Sequence, residues 1–178
     1  MNDNTNLLEP TRIGNTMFRW GERTFIMGIL NVTPDSFSGD GLADNVEAAI
    51  AQAKRMVSEG ADIIDIGGES TRPGAPKVTA DEEIRRVVPV IERLKAELNI
   101  PLSIDTYKAE VAEAAVQAGA NLLNDVWGLK RDHRLAEVAA RHSLPIVITS
   151  SQRDVPVSNI MPAIINSLKW AIEQAEAA

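Results

Sequence analysis

Residues 27–37 read Met-Gly-Ile-Leu-Asn-Val-Thr-Pro-Asp-Ser-Phe, and their character changes abruptly at Asn31. The apolar run before it reads as a buried strand. Thr33, Pro34, Asp35 and Ser36 then form a turn-rich polar loop, which ends on the aromatic Phe37. A buried strand whose polar loop sits at its C-terminal end is the arrangement in which α/β folds bind ligands.

Outward from this segment the same grammar repeats. Residues 45–59 carry apolar groups at helical spacing, with Val46, Ala49, Ile50, Ala53, Met56 and Val57 on one face and Gly60 as the stop. A strand is expected over 61–66 and a helix over 79–98. That helix opens on Thr79 with Glu82 three residues on, as in a capping box, and Pro89 inside it is expected to bend it. A strand over 101–104, an Ala-rich helix over 108–118 stopped by Gly119, a strand over 121–124, a helix over 132–142, a strand over 145–149 and a helix over about 160–177 complete the pass. Five β–α units in a row, with continuous apolar strands, predict a parallel sheet covered by helices and a single domain over 1–178. A small hairpin is expected within 14–24, around Trp20-Gly21-Glu22. The stretch Glu59-Gly60-Ala61-Asp62-Ile63-Ile64-Asp65 is echoed by Ala118-Gly119-Ala120-Asn121-Leu122-Leu123-Asn124 two units later. If alternate strands contribute to one layer, as in a (β/α)₈ barrel, Asp65 and Asn124 occupy equivalent places. The echo is equally compatible with generic α/β grammar.

Composition narrows the function classes. The chain has 178 residues, 44% hydrophobic and 24% charged, which is ordinary for a globular domain. A formal net charge of −7 argues against nucleic acid as a partner but leaves room for a phosphorylated ligand held by one or two Arg or a helix N-terminus. The absence of cysteine excludes disulfides, thiolate nucleophiles and Cys-ligated zinc. No stretch approaches a membrane span and residues 1–10 lack a signal-peptide pattern, so a cytoplasmic location is the expectation.

The candidate site lies at the strand ends. Asn31, then Asp65 and Glu69, then Asp105, then Asn124 and Asp125 close or follow apolar runs. Unpaired buried charge is costly, so such a cluster implies a shared polar pocket. Asp105 could accept two hydrogen bonds from an amidine or guanidine edge, or it could cap the helix that opens near Lys108. Asn124 both donates and accepts, which suits a heterocycle edge, although a turn role is the alternative. Asp125 could cap a turn. Gly67, Gly68 and Gly74 lower the bulk of a loop that carries Ser70, Thr71 and Arg72, which suits an oxyanion. Asn31 can offer an amide oxygen to a hard cation such as Mg²⁺. Trp127 is a candidate pocket wall, Trp20 and Trp170 are expected to pack, and His133 and His142 lack metal-ligand spacing.

Four segments, residues 28–37, 67–74, 103–107 and 124–126, stand in the order and at the strand ends found in dihydropteroate synthases, and the chain resembles that family from about Thr24 onward. The resemblance implies a (β/α)₈ barrel of folate synthesis that joins 6-hydroxymethyl-7,8-dihydropterin diphosphate to 4-aminobenzoate and releases pyrophosphate. It implies Asn31 on Mg²⁺, Thr71 and Arg72 toward the diphosphate or in the ordering of the second loop, Asp105, Asn124 and Val126 on the pterin, and Pro34 and Phe37 at the aminobenzoate. The chain departs from the family in reading Ser38-Gly39-Asp40-Gly41 in the first loop and Thr149-Ser150-Ser151 where Met-His is usual. No Asp-Pro-Gly strand or later Lys, Arg and His anchors follow the fifth unit, so the expectation is a barrel truncated to five of eight units, C-terminally incomplete, inactive alone and prone to self-association through its open edges. The alternatives are the methyltetrahydrofolate-binding domain of corrinoid methyltransferases, a non-catalytic half-barrel interaction module, and a closed flavodoxin-like sheet. Strand order decides the last: 1-2-3-4-5 for a barrel arc, 2-1-3-4-5 for the flavodoxin-like fold.

Overall fold

The computed structural model describes residues 9–33, 42–70, 76–152 and 159–178, with side chains of the first helix described from Val46 onward. A hairpin, β1 (Thr11–Ile13) and β2 (Thr16–Phe18), precedes five β–α units. These are β3 (Met27–Asn31) and α1 (Leu42–Ser58), β4 (Ile63–Gly67) and α2 (Ala80–Glu97), β5 (Leu102–Asp105) and α3 (Ala109–Ala118), β6 (Leu122–Asp125) and α4 (Arg134–Arg141), and β7 (Ile146–Ile148) and α5 (Ile160–Glu176). The five strands are parallel and ordered β3-β4-β5-β6-β7, which is the barrel arc and overturns the flavodoxin-like alternative.

Alternation along the strands divides the sheet into two faces. Leu30, Ile64, Ile66, Leu102, Ile104 and Leu123 point to the helices and form the main core with Ala49, Ile50, Val87, Ile91, Leu94, Val111 and Ala115. The other face carries Ile29 and Val147, 61% and 41% exposed, together with Asp65, Ser103 and Asn124. A second core closes the N-terminal end of this face. Ile13 and Phe18 of the hairpin pack on Ile63 and Leu122, with Trp20 and Phe25 around them. Phe18 lies 4.8 Å from Phe25 between ring centroids, and Trp20 meets Phe25 edge-on. The open inner face is thus plugged at the bottom and accessible at the C-terminal strand ends.

Local chemistry explains the boundaries. Thr79 caps α2 by accepting from Glu82 N–H, while the Glu82 carboxylate turns to Arg85 and Arg86, so only half of the expected capping box forms. Gly119 ends α3 at φ 129°, where a side chain is strained. The hairpin turns at Gly14-Asn15, not around Trp20-Gly21-Glu22, where a single bridge joins Trp20 and Arg23. Trp20 packs as expected, donating Nε1–H to Thr11 Oγ1 at 2.8 Å, but Trp170 is 39% exposed on α5.

Candidate functional site

The parallel register places the predicted polar residues side by side. Asn31 pairs with Gly67, Gly67 with Asp105, Asp105 with Asn124, and Asn124 with Val147, so one rung crosses all five strands near their C-terminal ends. Gly67 leaves this rung open between Asn31 and Asp105: a side chain there would meet Asn31 Oδ1 and Asp105 Oδ2 at 3.7 Å. The rung below holds Ile29, Asp65, Ser103 and Leu122. The two rungs are tied together across alternate strands, because Asn124 Nδ2 donates to Asp65 Oδ2 at 2.9 Å. The echoed positions Asp65 and Asn124 thus sit on neighbouring rungs and meet through their side chains.

The capping role considered for Asp105 is taken by two other residues. The start of α3 is satisfied instead by Asp132, whose Oδ2 accepts from Ala109 N–H at 3.0 Å, and by Thr106, whose Oγ1 accepts from Lys108 N–H. Asp65 is 3% exposed, and burial raises its carboxyl pKa against the opposing pull of Ser103 and Asn124. The Ser103 hydroxyl stands near it without reaching hydrogen-bond geometry, so Asp65 Oδ1 and Ser103 Oγ are both buried without a partner among the described residues.

Two of the strand-end carboxylates serve structure rather than the pocket. Asp125, 1% exposed, holds the turn that follows β6, accepting from Trp127 N–H at 2.8 Å and from Leu129 N–H. Burial raises its pKa, and those backbone donors offset part of the rise. Val126 lies half-buried in this turn. Trp127 stands edge-on to Tyr107 at 6.3 Å, and the Arg131 guanidinium lies 4.3 Å over its ring. Glu69 pairs with Lys108 and accepts from Tyr107 Oη at 3.2 Å and from Val78 N–H at 3.3 Å. Lys108 also pairs with Glu83 of α2, which is 1% exposed. Burial raises the Glu83 pKa and Lys108 counteracts it; for Lys108 itself burial is outweighed by its two carboxylate hydrogen bonds, and its pKa rises. Lys108 and Glu83 escaped the sequence reading. The signal was present, since Glu83 sits on the same helical stripe as Val87, Val90, Ile91 and Leu94, a charge in an otherwise apolar row.

Pro34, Phe37, Thr71 and Arg72 lie outside the described residues. Among the described residues no group of three His, Asp or Glu side chains is placed to hold a metal. Asn31 offers one amide oxygen at the rim, which fits Mg²⁺ only as a single ligand beside waters and phosphate oxygens. A cleft at the opposite end, lined by Gly14, Lys95, Asn99, Pro101, Gly119 and Asn121, is remote from this chemistry. No described helix is long and apolar enough to cross a membrane.

A family model described as pterin binding enzyme matches residues 27–177. The chain is 51% identical over 165 residues to a dihydropteroate synthase of Clostridium beijerinckii, covering 93% of this chain and 61% of that protein. It is 51% identical over 154 residues to one of Bacillus subtilis, covering 86% and 54%. A crystal structure of the Clostridium difficile dihydropteroate synthase in the presence of pteroic acid superposes with a TM-score of 0.85 at 52% identity, over 90% of this chain and 62% of that one. The Xanthomonas albilineans dihydropteroate synthase with 4-aminobenzoic acid gives 0.81 at 46% identity, over 88% and 57%. The chain therefore spans between about half and three fifths of the length of these relatives.

Proposed function

Since the chain belongs to the pterin binding enzyme family, we propose that it supplies the pterin-facing part of a dihydropteroate synthase, which joins 6-hydroxymethyl-7,8-dihydropterin diphosphate to 4-aminobenzoate and releases pyrophosphate. The observation that carries this reading is the single rung of Asn31, Gly67, Asp105 and Asn124 at the open end of a face plugged at its other end.

In this reading Asp105 and Asn124 hold the pterin ring by its nitrogen edge, and Val126 contacts the ring. As the carbon–oxygen bond to the diphosphate breaks, pyrophosphate leaves and a cation forms at the pterin methylene. The aniline nitrogen of 4-aminobenzoate attacks that carbon and then loses its proton to water or the departing pyrophosphate. Such a reaction is driven by charge stabilisation and alignment, and it requires no side chain of unusual basicity. Thr71 and Arg72 are assigned to the diphosphate, Pro34 and Phe37 to the aminobenzoate, and Asn31 to Mg²⁺, which when bound would neutralise charge on the leaving pyrophosphate. A cytoplasmic location belongs to the same proposal.

The test is a chimera in which residues 27–177 replace the matching segment of the Bacillus subtilis relative. Pyrophosphate release with both substrates and Mg²⁺ is expected to persist and to be lost on Asp105→Ala. A folded chimera that binds pteroic acid yet releases no pyrophosphate would refute the assignment.

A further inference from the structure

Asn124 can read a ligand only if its amide is fixed. A carboxamide has a donor end and an acceptor end of nearly equal shape, and a freely flipping one offers a ligand no definite pattern. Here one end is tied. Nδ2 donates to Asp65 Oδ2 at 2.9 Å, two strands away, beneath the rung that carries Asn31, Asp105 and Asn124. An ionised carboxylate only accepts, so the chemistry of Asp65 itself dictates that Asn124 turns its NH₂ inward. Asp65 has no exposed role, being 3% accessible, and its other oxygen meets no donor among the described residues. A buried carboxylate held by neutral groups alone, the Asn124 amide and the nearby Ser103 hydroxyl, is a poor device for stability, since burial is costly and neutral partners repay little of it.

Resting on the pterin reading above, we propose that Asp65 is a positioning residue that locks the Asn124 amide, so that the site presents one carbonyl oxygen and one remaining N–H in fixed order. Beside the carboxylate of Asp105, the locked amide meets the edge of the proposed pterin with its donor and acceptor in one order. It rejects rings offering acceptors alone, because the half-buried Asn124 carbonyl would then lose its partner.

The experiment uses the 178-residue chain, with selectively labelled asparagine and NMR. Without ligand, the Asn124 side-chain NH₂ protons are expected to be inequivalent and slow to exchange with solvent, in contrast to the exposed Asn159. Equal, fast exchange at both residues in the wild-type chain would overturn the proposal without any variant. Asp65→Asn keeps an acceptor and should preserve the signature, whereas Asp65→Val should abolish it. Pteroic acid, titrated as the probe, should bind Asp65→Asn within about twofold of wild type and Asp65→Val about fivefold or more weakly, the scale of one hydrogen bond. Thermal stability of the Val variant should be unchanged or higher, whereas a merely structural Asp65 predicts that it falls. Wild-type affinity in a folded Val variant would refute the positioning role. Failure of pteroic acid to bind the wild type would refute the pterin reading, while the exchange of the Asn124 amide would still decide whether Asp65 fixes it.

Discussion

Three buried carboxylates, Asp65, Glu83 and Asp125, have pKa values raised first of all by burial, and each is compensated to a different degree. Asp65 is held only by neutral groups, the Asn124 amide with the Ser103 hydroxyl beside it. Its folded pKa lies above its ordinary value of 3.8, so its ionisation costs stability above the folded pKa and costs nothing where both states are protonated. Asp65→Asn is therefore expected to raise the urea midpoint near neutral pH, with the gain shrinking as pH falls toward about 4. A gain independent of pH would mean that charge burial is not its origin. Lys108 presents the opposite case, one ammonium between Glu69 and Glu83. Lys108→Met leaves the buried Glu83 without its cation and should cost about 3 kcal/mol or more in urea unfolding. Lys108→Met with Glu83→Met should recover part of that loss. The rim residues Asn31, Asp105 and Asn124 were legible in the sequence because each ends an apolar run. The Lys108 cluster was not, because it joins positions 25 and 39 residues apart through loops folded against α2.

At the scale of elements, the strands and helices fall within a few residues of their expected places, because the buried strands are continuous apolar runs and the helices carry clear stripes and stops. The hairpin turns at Gly14-Asn15, a two-residue hairpin signal, whereas the turn-like Trp20-Gly21-Glu22 downstream holds only one bridge. The connection after β4 depends on a close approach that no pattern reveals. A Cβ at Gly68 would come within 2.8 Å of Glu83 Cγ and Val87 Cγ1, and Arg86 donates to Gly68 O at 2.9 Å. Gly68→Ala should push α2 from the sheet, strain the Lys108–Glu83 pair and cost about 1–3 kcal/mol by denaturant unfolding. A neutral result would show that α2 is not seated on this backbone.

For the molecule as a whole, the described sheet is an arc. Each of β3 and β7 has a hydrogen-bonded neighbour on one side only, and the inner face exposes Ile29 and Val147. Met161, Ile165 and Ile172 add an exposed apolar stripe on α5, beside β7. Surfaces of this kind associate. Sedimentation of the 178-residue chain should therefore show mass rising with concentration, and a monodisperse monomer with a sharp unfolding transition would contradict the open arc. Pterin binding by the 178-residue chain should be weak, with a dissociation constant of about 1 mM or higher, because the few hydrogen bonds offered by Asp105 and Asn124 are set against the entropy lost on association. The most direct test of the central claim is a titration of the isotope-labelled chain with pteroic acid, followed by backbone amide shifts. The account predicts weak, saturable shifts centred on Asp105, Asn124 and Val126 that vanish in Asp105→Ala. Shifts confined to the opposite cleft around Asn99 and Asn121, or none at all, would contradict it.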